Sequence, residues 1–303
     1  MKFSVVIPTF NRPQNLARCV QALSRLDYPK DEFEVIVVDD GGSSDIEPAL
    51  ETHPTNMHLR LLRQPNSGPA AARNNGGAHA RGGVLAFIDD DCEPHQDWLR
   101  ALDAGLDRFP DALIGGRVVN GLPLNPNDTA SQEIIDFLGE HFNRDPEQGR
   151  FFPSNNIAVA AELFRQIGGF NADFWRSASE DRDLCDRWLG QGWRLVSVPD
   201  AVVVHFRNMT LPGFWKQHLV YGRGAFSYAT ARRRRSNGPV PFEGWRFHAD
   251  MILAPLRRSR QPTSFYLSFL ILVSQVAVVI GYSSERRAWK RQRMPSSYNL
   301  ARK

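Results

Sequence analysis

The chain has 303 residues, of which 42% are hydrophobic, 11% aromatic and 23% charged, and its formal net charge is +4. This is the composition of an ordinary globular protein, and it excludes collagen-like, coiled-coil and intrinsically disordered chains. Three widely spaced cysteines without a CxxC pair argue against a disulfide framework or a zinc knuckle and favour a reducing compartment. The apolar run before Pro8 is too short for a signal peptide, which predicts a cytoplasmic protein.

Strands and helices are predicted to alternate along the first part of the chain. Short β-branched runs predict buried strands, and apolar residues at helical spacing predict the helices between them. Such alternation implies an α/β fold with a mostly parallel sheet covered by helices on both faces. The predicted elements are a strand at 3–7, a helix capped by Asn11 or Asn15, a strand at 33–38, a helix-compatible stretch at 68–81 and a strand at 84–88.

Beyond residue 91 the alternation is less regular. A polar stretch at 120–150 is rich in Pro, Asn and Asp, and no element is predicted there. The elements predicted around it are a helix at 97–109, a strand at 113–119 with a Gly-Gly break, a short strand at 156–160, helices at 161–167 and 181–190, and one or two strands over 195–204.

Carboxylates gather after two of the predicted strands. Asp39 and Asp40 follow the second strand, and Asp89, Asp90 and Asp91 follow the third. Ligands of parallel α/β sheets bind outside the carboxyl ends of the strands. So many acids would repel one another without a cation, and Asp89 and Asp91, on one side of an extended chain, offer the hard oxygen donors that Mg²⁺ or Mn²⁺ prefers. The alternative is a solvated loop with a helix cap.

Three further residues have both a functional and a structural interpretation. Asp39 either accepts hydrogen bonds from a base or ribose or forms an Asx turn into the glycines that follow it. Asp181 precedes an amphipathic helix and is either its N-terminal cap or a general base. His205 is either an imidazole metal ligand or a packed core histidine. Spacing alone does not decide between these interpretations.

The charge is divided unevenly along the chain. Residues 1–231 contain 22 Lys and Arg against 30 Asp and Glu, a net −8, and residues 232–303 contain 15 against 3, a net +12. Within this basic extension, residues 265–282 form an apolar run that would be about 27 Å long as a helix, close to the roughly 30 Å of a bilayer core. We expect contact with a membrane surface, whereas nucleic-acid binding is disfavoured because no recognised motif accompanies the arginines.

Six motifs occur in the order and spacing of the inverting family 2 glycosyltransferases with the GT-A fold, and residues 1–225 resemble that family. The motifs are SVVIPTFNR (4–12), VIVVDDGGSSD (35–45), NSGPAAARNNG (66–76), LAFIDDDCEP (85–94), SNNIAVAAELFRQIGGFN (154–171) and SEDRDLCDRWLGQGWRL (179–195).

The resemblance implies a role for each matching residue. Asp181 of the Glu180-Asp181 pair would be the catalytic base, and Asn155 and Asn156 fall ahead of the acceptor side. The donor side would be formed by Pro8, Thr9 and Asn11 lining the nucleotide site, Asp39 reading the base, Arg73 near the base or diphosphate, and Asp90 between the two metal-binding aspartates. The metal ligands would be Asp89 and Asp91 of the DxD motif, Asp91 most directly, and the late histidine, His205.

The resemblance also implies the reaction. We expect a glycosyltransferase domain at 1–231, with a donor half at 1–118 and an acceptor half at 119–231. It would use Mg²⁺ or Mn²⁺ to move a sugar from a nucleoside-diphosphate donor, UDP first and GDP or dTDP as alternatives, to a saccharide or lipid-linked hydroxyl. The cytoplasmic membrane face is the expected location.

Transfer of one sugar is favoured because the Gln-x-x-Arg-Trp motif of processive synthases is absent: Leu195 follows Arg194. Two alternatives remain. One is a nucleotidyltransferase, which would normally have a Gly-rich loop at the first strand, and the other is an inactive surface-binding protein.

Overall fold

A computed structural model describes residues 1–51, 57–174, 178–236 and 243–293 of the chain. The chain divides into two compact units, one of Met1–Trp175 and Glu180–Asn208 and the other of Arg176–Ser179 and Met209–Lys303. The first unit ends at Asn208, whereas the change in charge placed the predicted domain boundary just before Arg232. The division of the first unit into donor and acceptor halves stays a prediction.

The first unit is built on a mixed eight-stranded sheet with the order β3-β2-β1-β4-β7-β6-β8-β5 in the described part of the chain. The pairs β3-β2, β2-β1, β1-β4 and β6-β8 are parallel, and β4-β7, β7-β6 and β8-β5 are antiparallel. The α/β class is confirmed, and the parallel half of the sheet is the half with the regular strand-helix alternation. The strands are β1 (Phe3–Thr9), β2 (Phe33–Asp39), β3 (His58–Arg63), β4 (Val84–Ile88), β5 (Cys92–Pro94), β6 (Leu113–Asn120), β7 (Asn156–Ala160) and β8 (Leu195–His205).

Helices cover both faces of this sheet. Successive residues of β1 and β2 point to opposite sides, so that Val5 and Val35 belong to one apolar cluster and Val6 and Ile36 to the other. Helices α1 and α4 contribute to the first cluster, and α3, α6 and α7 to the second. The helices of this unit are α1 (Pro13–Ser24), α2 (Glu47–Glu51), α3 (Pro69–His79), α4 (Trp98–Arg108), α5 (Pro126–Phe142), α6 (Ala161–Gln166) and α7 (Glu180–Gly190).

The start of α1 differs from the prediction. Arg12 occupies the N-cap position and makes no side-chain capping bond, so the prediction that Asn11 or Asn15 caps this helix is wrong. Asn11 instead has a left-handed backbone, with φ of 56°, and its Oδ1 accepts hydrogen bonds from the backbone N–H groups of Ser43 (2.7 Å) and Ser44 (3.0 Å). Asn11 thus joins the loop after β1 to the loop after β2.

The second unit contains three helices in its described residues: α8 (Leu211–Ser236), α9 (Trp245–Arg258) and α10 (Pro262–Arg293). Helices α8 and α10 approach closely at Gly222 and Gly281, where a Cβ would collide with the backbone of Val278 and Leu219 respectively. Residues Pro262–Arg291 are long and apolar enough to cross a membrane by length and composition, and 39% of the apolar window is buried in the protein. The predicted apolar helix at 265–282 therefore lies inside a longer one.

Candidate active site

Three neighbouring parallel strands bring the predicted site residues to one edge of the sheet. Strand β1 lies between β2 and β4, with Thr9 in register with Asp39. The hydroxyl of Thr9 donates a 2.7 Å hydrogen bond to Asp90 Oδ2, which joins the end of β1 to the acidic run after β4. Pro8 is buried within β1, so its place is in the strand beneath the site rather than on the site surface.

An open cleft of about 550 Å³ lies beside these strand ends, with Asp39, Ser43, Ser44, Arg63 and Gln64 among its walls. The Oδ1 atom of Asp39 accepts from Gly42 N at 2.9 Å, so the expected Asx-type turn is present and holds this carboxylate at the cleft. A Cβ at Gly42 would lie 3.0 Å from Oδ1 of both Asp39 and Asn11, which favours glycine at this position.

The neighbouring Asp40 has a structural role. Its carboxylate accepts hydrogen bonds from the backbone N–H groups of Ser67 and Gly68, both at 2.8 Å, and from Gln64 Nε2 at 2.7 Å. These bonds hold the turn that leads into α3.

Each member of the acidic run contacts a basic side chain, and Asp90 and Asp91 share one of them. Asp89 Oδ1 accepts from Arg73 Nη2 at 2.6 Å. Arg12 Nη1 lies 3.2 Å from both Asp90 Oδ1 and Asp91 Oδ2, and Asp91 Oδ1 lies 2.9 Å from His205 Nε2. The carboxylates of the acidic run are therefore held by basic side chains, and the run is not a freely solvated loop.

Antiparallel pairing of β5 with β8 brings His205 to Asp91. Cys92 is opposite His205 in this pair, and Phe206 N donates to the backbone oxygen of Asp91 at 2.9 Å. The possible ligand atoms of Asp91, Cys92 and His205 lie within 4.8 Å of one another, and this is the cluster of metal-binding type found in the described residues. Asp89 is not part of the cluster, and its carboxylate is paired with Arg73.

Asn155 contacts the histidine from behind and was not predicted to take part in the metal site. Its Nδ2 lies 3.2 Å from His205 Nδ1, and its buried Oδ1 has no hydrogen-bond partner. The position of Asn155 directly before β7 was visible in the sequence, but its contact with a residue fifty positions away was not. Its neighbour Asn156 is structural, since its side chain accepts from Trp98 Nε1 and donates to two backbone oxygens.

The ionisation states in this cluster suit a hard divalent cation. Burial alone would raise the pKa of Asp91, but the hydrogen bond and charge of His205 and the charges of Arg12 and Arg207 outweigh it and lower that pKa to about 2. Burial raises the pKa of the Cys92 thiol well above its usual value, so the thiolate needed for metal binding is disfavoured. A carboxylate and an imidazole, with the orphaned Asn155 oxygen nearby, form a donor set that fits Mn²⁺ or Mg²⁺.

The second carboxylate pair lies in the first turn of α7. Glu180 Oε1 accepts from Arg73 Nη1 at 3.1 Å, so the 3% exposed Arg73 bridges the end of β4 and the start of α7. Arg73 thus contacts the two acidic regions rather than the cleft beside Asp39. Ser179, directly before α7, has a φ of 91°, which is unusual for a residue other than glycine and holds the chain in a sharp turn there.

Among the carboxylates at this edge of the sheet, Asp181 has the pKa that is raised furthest toward neutral pH. Burial, followed by the charge of Glu180, raises the pKa of Asp181 to about 7, while a 2.7 Å hydrogen bond from Arg182 N to Oδ1 and the charge of Arg73 oppose the rise. Asp181 as a whole residue is half-buried. A carboxylate that exchanges a proton near neutral pH is suited to general base catalysis.

Known proteins share both the sequence pattern and the fold. Residues 4–168 match glycosyl transferase family 2, and residues 140–210 match the N-terminal domain of galactosyltransferase. The pre-mycofactocin glycosyltransferase of Mycobacterium tuberculosis is 31% identical over 83% of this chain and 52% of its own length.

Two solved structures have a similar fold. The mannosyltransferase PcManGT from Pyrobaculum calidifontis, in complex with GDP-Man and Mn²⁺, has a TM-score of 0.62 at 20% identity, over 99% of this chain and 82% of its own. Residues 1–349 of Staphylococcus aureus TarS, in complex with UDP, have a TM-score of 0.54 at 17% identity, over 97% and 92%.

The chain spans about half the length of the curated relatives it matches. The match to the family profile nevertheless covers more than half of this chain and contains the ends of β1, β2 and β4. The chain belongs to glycosyl transferase family 2.

Proposed function

We propose that the protein transfers a single sugar from a nucleoside-diphosphate donor to a hydroxyl group of a saccharide or lipid-linked acceptor, with inversion at the anomeric carbon. The proposal depends mainly on the presence, at one edge of the sheet, of two carboxylates whose pKa values are shifted in opposite directions. Asp91 is held ionised beside His205, and Asp181 has a pKa near neutrality. One site suits a cation and the other a transferable proton.

The donor nucleoside is assigned to the cleft at Asp39, with Thr9 and Asn11 at its border. Asp39 is fixed by Gly42 and supplies an acceptor for a base or ribose group. A uridine nucleotide is our first assignment, supported by TarS in complex with UDP, and guanosine is the alternative, supported by PcManGT in complex with GDP-Man. Asp89 and Asp90 are assigned to the donor side of the acidic run.

Asp91 and His205 would hold the divalent cation, Mn²⁺ or Mg²⁺. A cation bound there supplies positive charge that stabilises the diphosphate as the bond to the sugar breaks. The low pKa of Asp91 keeps this ligand ionised through the physiological range. Asp89 is assigned to the donor rather than to the cation because Arg73 holds its carboxylate.

Asp181 would act as the base. The acceptor oxygen forms a bond to the anomeric carbon from the face opposite the leaving group, and its proton passes to an Asp181 carboxylate oxygen. The bond between the anomeric carbon and the phosphate oxygen breaks, and the nucleoside diphosphate leaves with the electron pair. Glu180 positions this base, because its own carboxylate is fixed by Arg73 and its charge helps raise the pKa of Asp181.

The test uses Asp181→Asn, with Asp186→Asn on the same helix as the control. We expect D181N to bind UDP or GDP as the wild type does and to lose transfer by about a hundredfold or more, while D186N keeps both. Product analysis separates the alternatives, because sugar transfer releases a nucleoside diphosphate and nucleotidyl transfer releases pyrophosphate. Transfer by D181N at the wild-type rate would overturn the assignment of the base.

For the second unit we propose association with the cytoplasmic face of an anionic membrane. Large apolar side chains of α9 and α10 are exposed, including Trp245 at 75%, Phe265 at 58% and Val279 at 64%. Basic residues flank them at both ends of α10, and such a mixture is typical of interfacial helices. The exposed basic residues near the two ends of α10 include Arg257, Arg258, Arg260, Arg286, Arg287, Lys290 and Arg291. A lipid-linked acceptor fits this location.

A further inference from the structure

Arg12 contacts both Asp90 and Asp91, the two carboxylates on which the candidate cation site borders. Its Nη1 lies 3.2 Å from Asp90 Oδ1 and 3.2 Å from Asp91 Oδ2. The other oxygens of these carboxylates are already engaged, by the Thr9 hydroxyl and by His205 Nε2. Arg12 therefore supplies the positive charge on the remaining side of the pair.

Arg12 can move away from its carboxylate partners more easily than Arg73, the other arginine of the site. The Arg73 side chain is 4% exposed and is fixed between two carboxylates, whereas the Arg12 side chain is 55% exposed. Arg12 also stands at the N-cap of α1 without a capping bond, so its side chain has no structural task in that helix. The two carboxylates are 4% and 12% exposed, so the mobile partner of these ion pairs is the arginine, whose side chain can turn toward solvent.

We propose that Arg12 holds the Asp91 oxygen opposite His205 when no divalent ion is bound, and that it transfers to the diphosphate of the donor when the ion enters. This inference rests on the proposed function of the site. A divalent ion at Asp91 would repel the guanidinium, and the leaving diphosphate, which carries several negative charges, is the partner that arginine binds well through paired hydrogen bonds. Arg12 would thus oppose metal binding and favour donor binding.

The two opposite effects make the proposal testable with one variant. Mn²⁺ affinity is measured by electron paramagnetic resonance in the absence of nucleotide for the wild type, Arg12→Gln, Arg12→Lys and Arg18→Gln. Arg18 is the matched control, because it lies on the same helix and its nearest carboxylate oxygen is that of Glu93 at 3.9 Å. Affinities for UDP and GDP are then measured at saturating Mn²⁺.

We expect R12Q to bind Mn²⁺ about tenfold more tightly than the wild type, the order of effect of one unit charge close to a partly exposed site. R12K should remain near the wild type, and R18Q should be unchanged. With Mn²⁺ bound, R12Q should bind the recognised nucleotide about tenfold more weakly. Thermal unfolding in a chelator should show a folded R12Q whose melting temperature rises more on Mn²⁺ addition than that of the wild type.

Other outcomes would overturn the inference. If R12Q binds Mn²⁺ no more tightly than the wild type, Arg12 does not compete with the ion, and the proposed transfer reaction stands without this step. If R12Q binds both Mn²⁺ and nucleotide more weakly, Arg12 only orders the loop after β1. If the wild type binds no Mn²⁺ with or without UDP or GDP, the cation site itself is wrong and the inference falls with it.

Discussion

Replacing Glu180 by Gln should move the pH dependence of the transfer reaction. Asp181, with a pKa of about 7, would be about one-tenth ionised at pH 6 and about nine-tenths at pH 8. The wild-type rate should therefore rise with pH through neutrality. Glu180 contributes to the raised pKa through its negative charge, so its removal should move the rise to lower pH.

The size of the shift follows from the charges around Asp181. One unit charge in a partly buried environment is worth roughly 1 to 3 kcal/mol, which corresponds to about one to two pH units. The Arg73 contact acts in the same direction, because Arg73 loses one of its two carboxylate partners in E180Q and its charge then favours ionised Asp181 more strongly. Both effects predict a downward shift.

The assay is the initial rate of nucleoside diphosphate release from pH 5.5 to about 8.5 at saturating donor and Mn²⁺. Repetition at two Mn²⁺ concentrations separates the titration of the base from proton competition with the metal ion for its ligands, because only the latter responds to metal concentration. Asp186→Asn serves as the control for a carboxylate lost from the same helix. A rate profile that stays in place in E180Q, or moves to higher pH, would refute the assignment of Asp181 as the titrating base.

Three further predictions follow from the same structure. The folded-state pKa of Asp181 lies above the unfolded value, so this group lowers the free energy of unfolding as pH rises from about 4 to 8. D181N should therefore be more stable than the wild type at pH 8 in urea unfolding, by on the order of 1 to 3 kcal/mol. Equal stability would contradict the raised pKa. Asn155→Leu removes the amide behind His205 and should weaken Mn²⁺ binding about tenfold, with unchanged affinity counting against its positioning role. The 303-residue chain should float with phosphatidylglycerol vesicles at low salt, and Val279→Glu on the exposed face of α10 should reduce flotation. Equal flotation with neutral vesicles would remove the electrostatic part of the proposal.

Most of the regular elements could be predicted because their apolar pattern is local. Strand β7 has the predicted bounds, and the Gly-Gly break predicted in the strand at 113–119 coincides with the register shift at Gly116 and Arg117 in β6. Strand β3 was missed because it is an edge strand, half exposed, in which His58, Arg60 and Arg63 interrupt the leucines and leave no continuous apolar run. Helix α5 was missed because its polar sequence resembles a loop, although Asn125 caps it through a bond to Asn127 N.

The site was predictable in its location and less so in its contacts. Carboxylates after neighbouring parallel strands must meet at one edge, so Asp39 and the acidic run were placed together by topology alone. The partners of those carboxylates depend on side-chain distances between distant segments. The sequence gives no local sign that Arg73 bridges two acidic regions, that Arg12 shares Asp90 and Asp91, or that Asn155 contacts His205.

The pairing of β5 with β8 has a consequence for local stability. β5 is a three-residue strand at the outer end of the sheet order, and short edge strands open more easily than central ones. The side chains of Asp91 and His205 meet where β5 pairs with β8, so an ion bound by both would stabilise this short strand pairing. Hydrogen exchange at the amides of residues 92–94 should therefore slow on addition of Mn²⁺, and the edge of the sheet would report occupancy of the site before any sugar is transferred.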